Sequence, residues 1–216
     1  MNRLEEFFFT EPKKHAIHKW KHYFKIYEKH LHAFLHKNPI IVEIGIYKGG
    51  SIDMWNKYFD NKCTIIAIDN NPECKSLQQD YEENVHIVIG DQADPVFWDD
   101  FLQKYPSFDI VLDDGGHRME EQIITFEKLY PYLNNNGVYL CEDTHTSYLT
   151  AFGGGYLQKN TFIEYSKNFI DLLHAYFIEG LSLDFRKNTF CISYYDSIVV
   201  FDKWIDTEHP TDPLME

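Results

Sequence analysis

The chain has 216 residues, 44% of them hydrophobic and 17% aromatic, enough to bury one sizeable core and too few for a second full domain. Its formal net charge of -14 repels phosphate backbones, which excludes nucleic acid as a partner unless a local basic patch overrides the total. Cys63, Cys74, Cys141 and Cys191 form neither a CxxC pair nor a dense framework, and no apolar stretch approaches the length that spans a bilayer; reduced thiols, no structural zinc, no membrane and a cytoplasmic location are expected.

The first residues, MNRLEEFFFTEPKK, place acids before a short apolar run, unlike the basic-then-apolar order of a signal peptide. From residue 13 to 37, Trp20, Phe24, Tyr27, Leu31 and Leu35 recur every three or four positions and predict an amphipathic helix. Six of the eleven histidines lie here, and His18/His22 and His32/His36 have the i, i+4 spacing of metal chelation. No carboxylate or cysteine completes a ligand set, so a solvated polar face is the preferred reading. Residues 1–37 are therefore expected to form an N-terminal helical extension.

Next come short apolar runs that each end in or beside an acid: PIIVEIG, CTIIAID, VHIVIGD, FDIVLDD and GVYLCED. Near-continuous apolar strands separated by helix-length stretches predict a parallel sheet covered on both faces, and right-handed crossovers make it doubly wound. TFCISYY and SIVVFDK follow too closely for a helical crossover and should pair antiparallel. The expected fold is α/β, a Rossmann-like seven-stranded sheet, mostly parallel with one antiparallel strand near the C-terminus, over residues 38–205, followed by a flexible tail over 206–216.

Ligands of open α/β sheets sit beyond the carboxyl ends of the strands, where the acids lie. After the first strand, Glu43 precedes a turn in which Gly45, Gly49 and Gly50 permit close backbone approach, with Ser51 opening the next helix. A carboxylate at Glu43 would oppose the pyrophosphate of a nicotinamide dinucleotide, which disfavours a dehydrogenase. It would favour the cationic, phosphate-free S-adenosylmethionine (SAM). Asp69 ends the second strand, where its carboxylate can accept from ribose hydroxyls, and Asp91 and Gln92 after the third could face an adenine amine. Capping of the following helix is the alternative for each acid taken singly.

Here the sequence resembles the class I SAM-dependent methyltransferases, whose nucleoside-binding pattern matches ExGxxxGGS followed by an acidic second strand end. The resemblance implies cofactor contacts from Glu43, Gly45, Gly49, Ser51, Asp69, Asp91, Gln92 and Asp113. It also implies an antiparallel seventh strand beside the fifth.

Asp113-Asp114-Gly115-Gly116-His117 and Glu142-Asp143-Thr144 follow neighbouring strands of that topology, so Asp114, Glu142 and Asp143 can converge. Their oxygens suit Mg²⁺ or Mn²⁺, and such carboxylates repel one another without a cation. This combination is similar to the metal-dependent sugar O-methyltransferases of macrolide antibiotics, of the mycinamicin and macrocin type. That resemblance implies Asp114, Glu142 and Asp143 as metal ligands and His117 as base, with His145 the weaker candidate. Capping is the alternative reading for these residues too. The acceptor expected is a vicinal diol of a sugar or glycoside, such as a deoxyhexose of the rhamnose kind; a phenolic hydroxyl and a non-catalytic SAM-fold binding protein are the alternatives. YLTAFGGGY, after the metal motif, is expected to form a glycine-rich lid. Self-association through the N-terminal helix is the expected form of any homo-oligomer.

Overall fold

In the computed structural model, which describes residues 1–204, seven strands form one sheet in the order β3-β2-β1-β4-β5-β7-β6. They are β1 (Ile40–Ile44), β2 (Thr64–Asp69), β3 (Val85–Ile89), β4 (Phe108–Asp113), β5 (Leu133–Glu142), β6 (Thr189–Tyr195) and β7 (Ile198–Lys203). β1 to β5 pair in parallel, and β7 runs antiparallel between β5 and β6. The expected mostly parallel sheet with one reversed strand is present, and that strand lies one place in from the edge.

The apolar runs are continuous because both faces are covered. One face buries Ile41, Ile65, Leu112 and Leu140, with Trp55 from α3 (Gly50–Tyr58). The other buries Val42, Ile66, Val111 and Tyr139, with Trp98 from α4 (Pro95–Lys104) and Phe126 from α5 (Met119–Leu129). Strand order reverses between β1 and β4, which opens a crevice at their carboxyl ends.

The N-terminal residues differ from the expected single helix. Helix occupies α1 (Arg3–Thr10) and α2 (Tyr23–Leu31), while residues 11–22 have no helical turn beyond its approach to Tyr23. Asn2 caps α1 through a reciprocal box with Glu5, and Pro12 then falls in the linking segment. Leu4, Phe7, Tyr23, Phe24 and Tyr27 are buried in the same core as Trp55. The apolar stripe of α2 is thus spent inside the chain and is not free for the self-association expected through it. His18 and His22 consequently do not share a helix face, and His22 instead bonds the Asp196 carbonyl at 3.0 Å.

Two further helices, α6 (Phe162–Leu173) and α7 (Asp184–Asn188), lie between β5 and β6. Among the described residues no helix is long and apolar enough to cross a membrane. The tail expected to be flexible, residues 206–216, lies outside the described residues.

Candidate active site

A cavity of about 640 Å³ opens at the carboxyl ends of β1, β2, β4 and β5. One wall is the glycine turn from Ile44 to Tyr47 with Asp69 and Asn70; the opposite wall is Asp114 to His117 with Glu142 and Asp143. Ala16 to Trp20 and Tyr23 close it from the N-terminal side.

The glycine wall follows from backbone needs. Gly45 has φ 84°, and a Cβ there would overlap the Asp114 carbonyl oxygen, so the β1 and β4 turns touch through a missing side chain. Asp69 braces this turn, its Oδ2 accepting from the N–H of Ile46 (3.1 Å) and Tyr47 (3.2 Å) and its Oδ1 from Asn71 (2.9 Å). Gly45→Ala is expected to cost about 3 kcal/mol from left-handed strain and overlap. A thermal melt should show this as a fall of about 6–12 °C; an unchanged midpoint would refute the contact.

Of the eight expected cofactor residues, Gly45, Ser51, Asp69 and Gln92 line the cavity, and Glu43, Gly49, Asp91 and Asp113 do not. Glu43 is fully buried beneath the turn, accepting from Trp55 Nε1 at 2.9 Å. Asp113 points to the opposite face of the sheet, where Gln92 Nε2 (3.1 Å) and the Tyr139 hydroxyl (3.0 Å) donate to it. Burial pushes both carboxyls up to about 7. Asp91 is exposed and accepts from Ala93 N–H at 2.8 Å in a turn, and the helix that follows is capped by Asp94 instead. Gly49, at φ 86°, serves as the N-cap of α3. The Gln92 amide reaches the cavity but is committed, donating to Asp113 and Thr125 and accepting from Gly116 N–H at 2.8 Å. It fixes the turn that carries His117.

The acidic wall is built by strand register. Asp113 of β4 pairs with Cys141 of β5, so the residues that follow on each strand emerge side by side. His117 (φ 59°) and Asp143 (φ 53°) both adopt left-handed backbone, and Thr146 Oγ1 donates to the carbonyl of each at 2.9 Å. His117 Nε2 lies 3.9 Å from Asp114 Oδ1 and 3.6 Å from Asp143 Oδ2. The other oxygen of Asp143 accepts from the Tyr23 hydroxyl at 2.6 Å. Asp114, His117 and Asp143 each offer a ligand atom within 4.8 Å of the others, and Glu142, expected as a third ligand beside Asp114 and Asp143, lies outside that set. Among the described residues no other histidine, cysteine or acid cluster does so, which leaves the N-terminal histidine pairs as a polar surface. His145 does not line the cavity.

One residue of this wall was not anticipated. The Lys19 ammonium bonds Asp114 Oδ2 at 2.6 Å and Glu142 Oε2 at 2.9 Å, with 3% of its side chain exposed. Burial opposes its charge, but Asp114 and Glu142, with Glu43, outweigh that and hold Lys19 above its ordinary range. One ammonium cannot neutralise two carboxylates. Burial and the Asp114 charge therefore push the Glu142 carboxyl upward despite Lys19 and the neighbouring Tyr27 hydroxyl. The only sequence signal was a Lys/His-rich segment in a strongly acidic chain.

The expected glycine lid is a packed turn. Gly154 N–H donates to the Leu149 carbonyl (3.0 Å) and Gly155 N–H to that of Ser147 (2.8 Å), and a Cβ at Gly154 would overlap the Thr146 carbonyl. Neither glycine lines the cavity, which residues 16–20 and Tyr23 cover.

The stretch of chain that carries this geometry is similar to known proteins. A family model described as a methyltransferase domain matches residues 42–144, the segment from β1 through the acidic wall. The chain is 33% identical over 171 residues to the 8-demethyl-8-alpha-L-rhamnosyl tetracenomycin-C 2'-O-methyltransferase of Streptomyces olivaceus, covering 74% of this chain and 44% of that protein. This chain carries a methyltransferase domain. The domain is also similar to the demethylmacrocin O-methyltransferase of Streptomyces fradiae, 34% identical over 71% of this chain and 38% of the relative. Among solved structures, the MycE methyltransferase of the mycinamycin biosynthetic pathway, in complex with Mg, SAH and mycinamycin VI, aligns with TM-score 0.78 at 25% identity. That alignment covers 90% of this chain and 54% of MycE. The chain spans less than half the length of the two curated relatives.

Proposed function

We propose that this methyltransferase domain transfers a methyl group from SAM to a sugar hydroxyl, with a divalent cation at the acidic wall. The observation that carries the reading is His117: its Nε2 stands between Asp114 and Asp143 on one wall of a cavity whose other wall is the glycine turn braced by Asp69.

The residues present fit a hard divalent cation. Asp114 and Asp143 present converging oxygen donors, and Glu142 adds a buried carboxylate whose charge Lys19, shared with Asp114, balances only in part. These three residues would hold Mg²⁺ or Mn²⁺, Glu142 by a turn of its carboxylate toward Asp114 and Asp143, which already converge. When bound, the cation would lower the pKa of an acceptor hydroxyl, and SAM would supply an electrophilic methyl group.

The chain's own residues do the rest. Asp69 and the Gly45 backbone position the donor, and Gln92 fixes the turn after β4 through Gly116 N–H. His117 Nε2 takes the acceptor's proton, and the carboxylates of Asp143 and Asp114 stabilise the resulting imidazolium. Residues 16–20 and Tyr23 line the N-terminal side of the cavity.

The acceptor class proposed is a vicinal diol of a deoxyhexose in a glycoside, supported by the rhamnosyl and macrocin substrates in the relatives' names and by chelation of two adjacent hydroxyls. All four cysteines are free thiols, which supports a cytoplasmic setting. Incubation with methyl-labelled SAM, Mg²⁺ and a panel of glycosides, diols and catechols tests the reading. Label is expected on a sugar hydroxyl. Label on catechols alone would transfer the reaction to phenolic acceptors, and no label on any hydroxyl, with SAM bound, would favour a non-catalytic binding protein.

A further inference from the structure

Lys19 has no part in the reaction proposed above, yet it occupies the centre of the acidic wall. Its ammonium holds Asp114 Oδ2 and Glu142 Oε2, two of the three carboxylates assigned to the divalent cation. We propose that Lys19 and the divalent cation are alternative occupants of the Asp114 and Glu142 carboxylates, so that loading the cation withdraws Lys19 and lifts the N-terminal strap, residues 13–22, from the cavity. The inference rests on the metal-dependent reading of the site.

Competition follows from charge and space. The ammonium takes one oxygen of each carboxylate, Asp114 Oδ2 and Glu142 Oε2, and a metal held by the same two groups would stand beside it. Two cations sharing those carboxylates in a buried site repel one another strongly. Lys19 is nevertheless an incomplete occupant. It brings one positive charge to a wall that contains Asp114, Glu142 and Asp143 with Glu43 below. A divalent ion matches that charge better. Lys19 then acts as a tethered stand-in that keeps the carboxylates from repelling each other while the ion is away.

The strap is suited to such exchange. Residues 13–22 form no helix or strand and are held at separate points. His15 bonds Asp53 at 2.9 Å, Lys14 pairs with Asp80 at an exposed position, and His22 meets the Asp196 carbonyl. Between these anchors, Ala16 lies so close to the start of α3 that only glycine fits at position 50. Lys19 is the one strap side chain that reaches Asp114 and Glu142, and its neighbours His18 and Trp20 line the cavity. Release of Lys19 removes the central attachment and widens the mouth through which an acceptor enters.

The test uses the full chain and Mn²⁺, with bound ion counted by loss of the free-ion paramagnetic resonance signal. Trypsin cannot cut after Lys19 while that side chain is buried, so the rate of cleavage of the Lys19–Trp20 bond, read from the new N-terminus at Trp20, reports its release. Saturating Mn²⁺ is expected to raise that rate by about tenfold or more, because cleavage tracks the open population. Lys19→Met is expected to bind Mn²⁺ about tenfold or more tightly, because the competent fraction no longer excludes a lysine-occupied state. Mn²⁺ that binds the wild type while Lys19 stays protected would overturn the inference and leave the metal reading intact. So would a folded Lys19→Met that binds no more tightly. Failure of wild type and variant alike to bind Mn²⁺ would remove the metal reading and this inference with it. The wild-type cleavage measurement decides the matter even if the variant does not fold.

Discussion

Replacing His117 with alanine is expected to lower methyl transfer by about 100- to 10,000-fold, the range spanned by a positioned general base, while SAM binding is retained. His117 Nε2 faces two carboxylates at 3.6 and 3.9 Å, and Gln92 and Thr146 hold the backbone that carries it. The substitution removes the ring without disturbing those backbone bonds, so the loss should fall on kcat more than on KM. His117→Gln, which keeps bulk and polarity but cannot take the proton, should be equally slow. Single-turnover transfer and SAM calorimetry on the same preparations check both statements. A variant that turns over at the wild-type rate would take the base role away from this residue. His145 offers no ready substitute, since it does not line the cavity.

A folded state that weakens as pH rises from 5 to 8 is the second large effect. Glu43 and Asp113 are buried acids whose pKa is pushed up to about 7 by burial, from ordinary values of 4.5 and 3.8. Between about pH 4 and 7 the native protein therefore keeps protons that the unfolded chain has released, and stability must fall with rising pH. Each group contributes about 2–3 kcal/mol between pH 5 and 8, or together a fall of about 8–24 °C in melting temperature. Asp113→Asn should flatten the slope by its share, because an amide can still accept from Gln92 and donate to Tyr139. Mg²⁺ at about a hundred times its Kd should return about 2.7 kcal/mol at the alkaline end. Calorimetric melts from pH 5 to 8, with and without Mg²⁺, decide the point; a wild-type slope no steeper than that of Asp113→Asn would contradict it.

The strands were legible because a sheet buried on both faces demands unbroken apolar runs, and each of the five runs became a parallel strand where it stood. The hairpin of β6 and β7 was legible from its short turn. The acids were harder, because position at a strand end does not say which way a side chain points. Glu43 shares a sheet face with Ile41 and meets Trp55, whereas Asp113, paired with Ile44, shares the opposite face with Val111 and meets Tyr139. Alternation thus turned two expected cofactor contacts into buried braces. The acids just past the strand ends, Asp114 and Asp143, do reach the cavity, and so does Glu142, the last residue of β5. Lys19 was hidden for a different reason. Its role depends on a long-range contact across 95 residues to Asp114, for which neither spacing nor composition carries a signal. The glycine triplet misled because consecutive glycines serve close packing as well as mobility, and Gly154 lies against the Thr146 carbonyl.

The placement of β7 between β5 and β6 governs the order in which the sheet can assemble during translation. The ribosome delivers β6 before β7, and β6 has no hydrogen-bonded partner other than β7 in the finished sheet. Until residues 198–203 emerge, the nascent chain carries β5 with an open edge from Val138 to Glu142, whose residues are fully buried in the finished sheet. That edge is a template for pairing with a neighbouring polypeptide. Synthesis therefore passes through an interval of sticky, unfinished sheet just before the acidic wall's supporting strand is sealed.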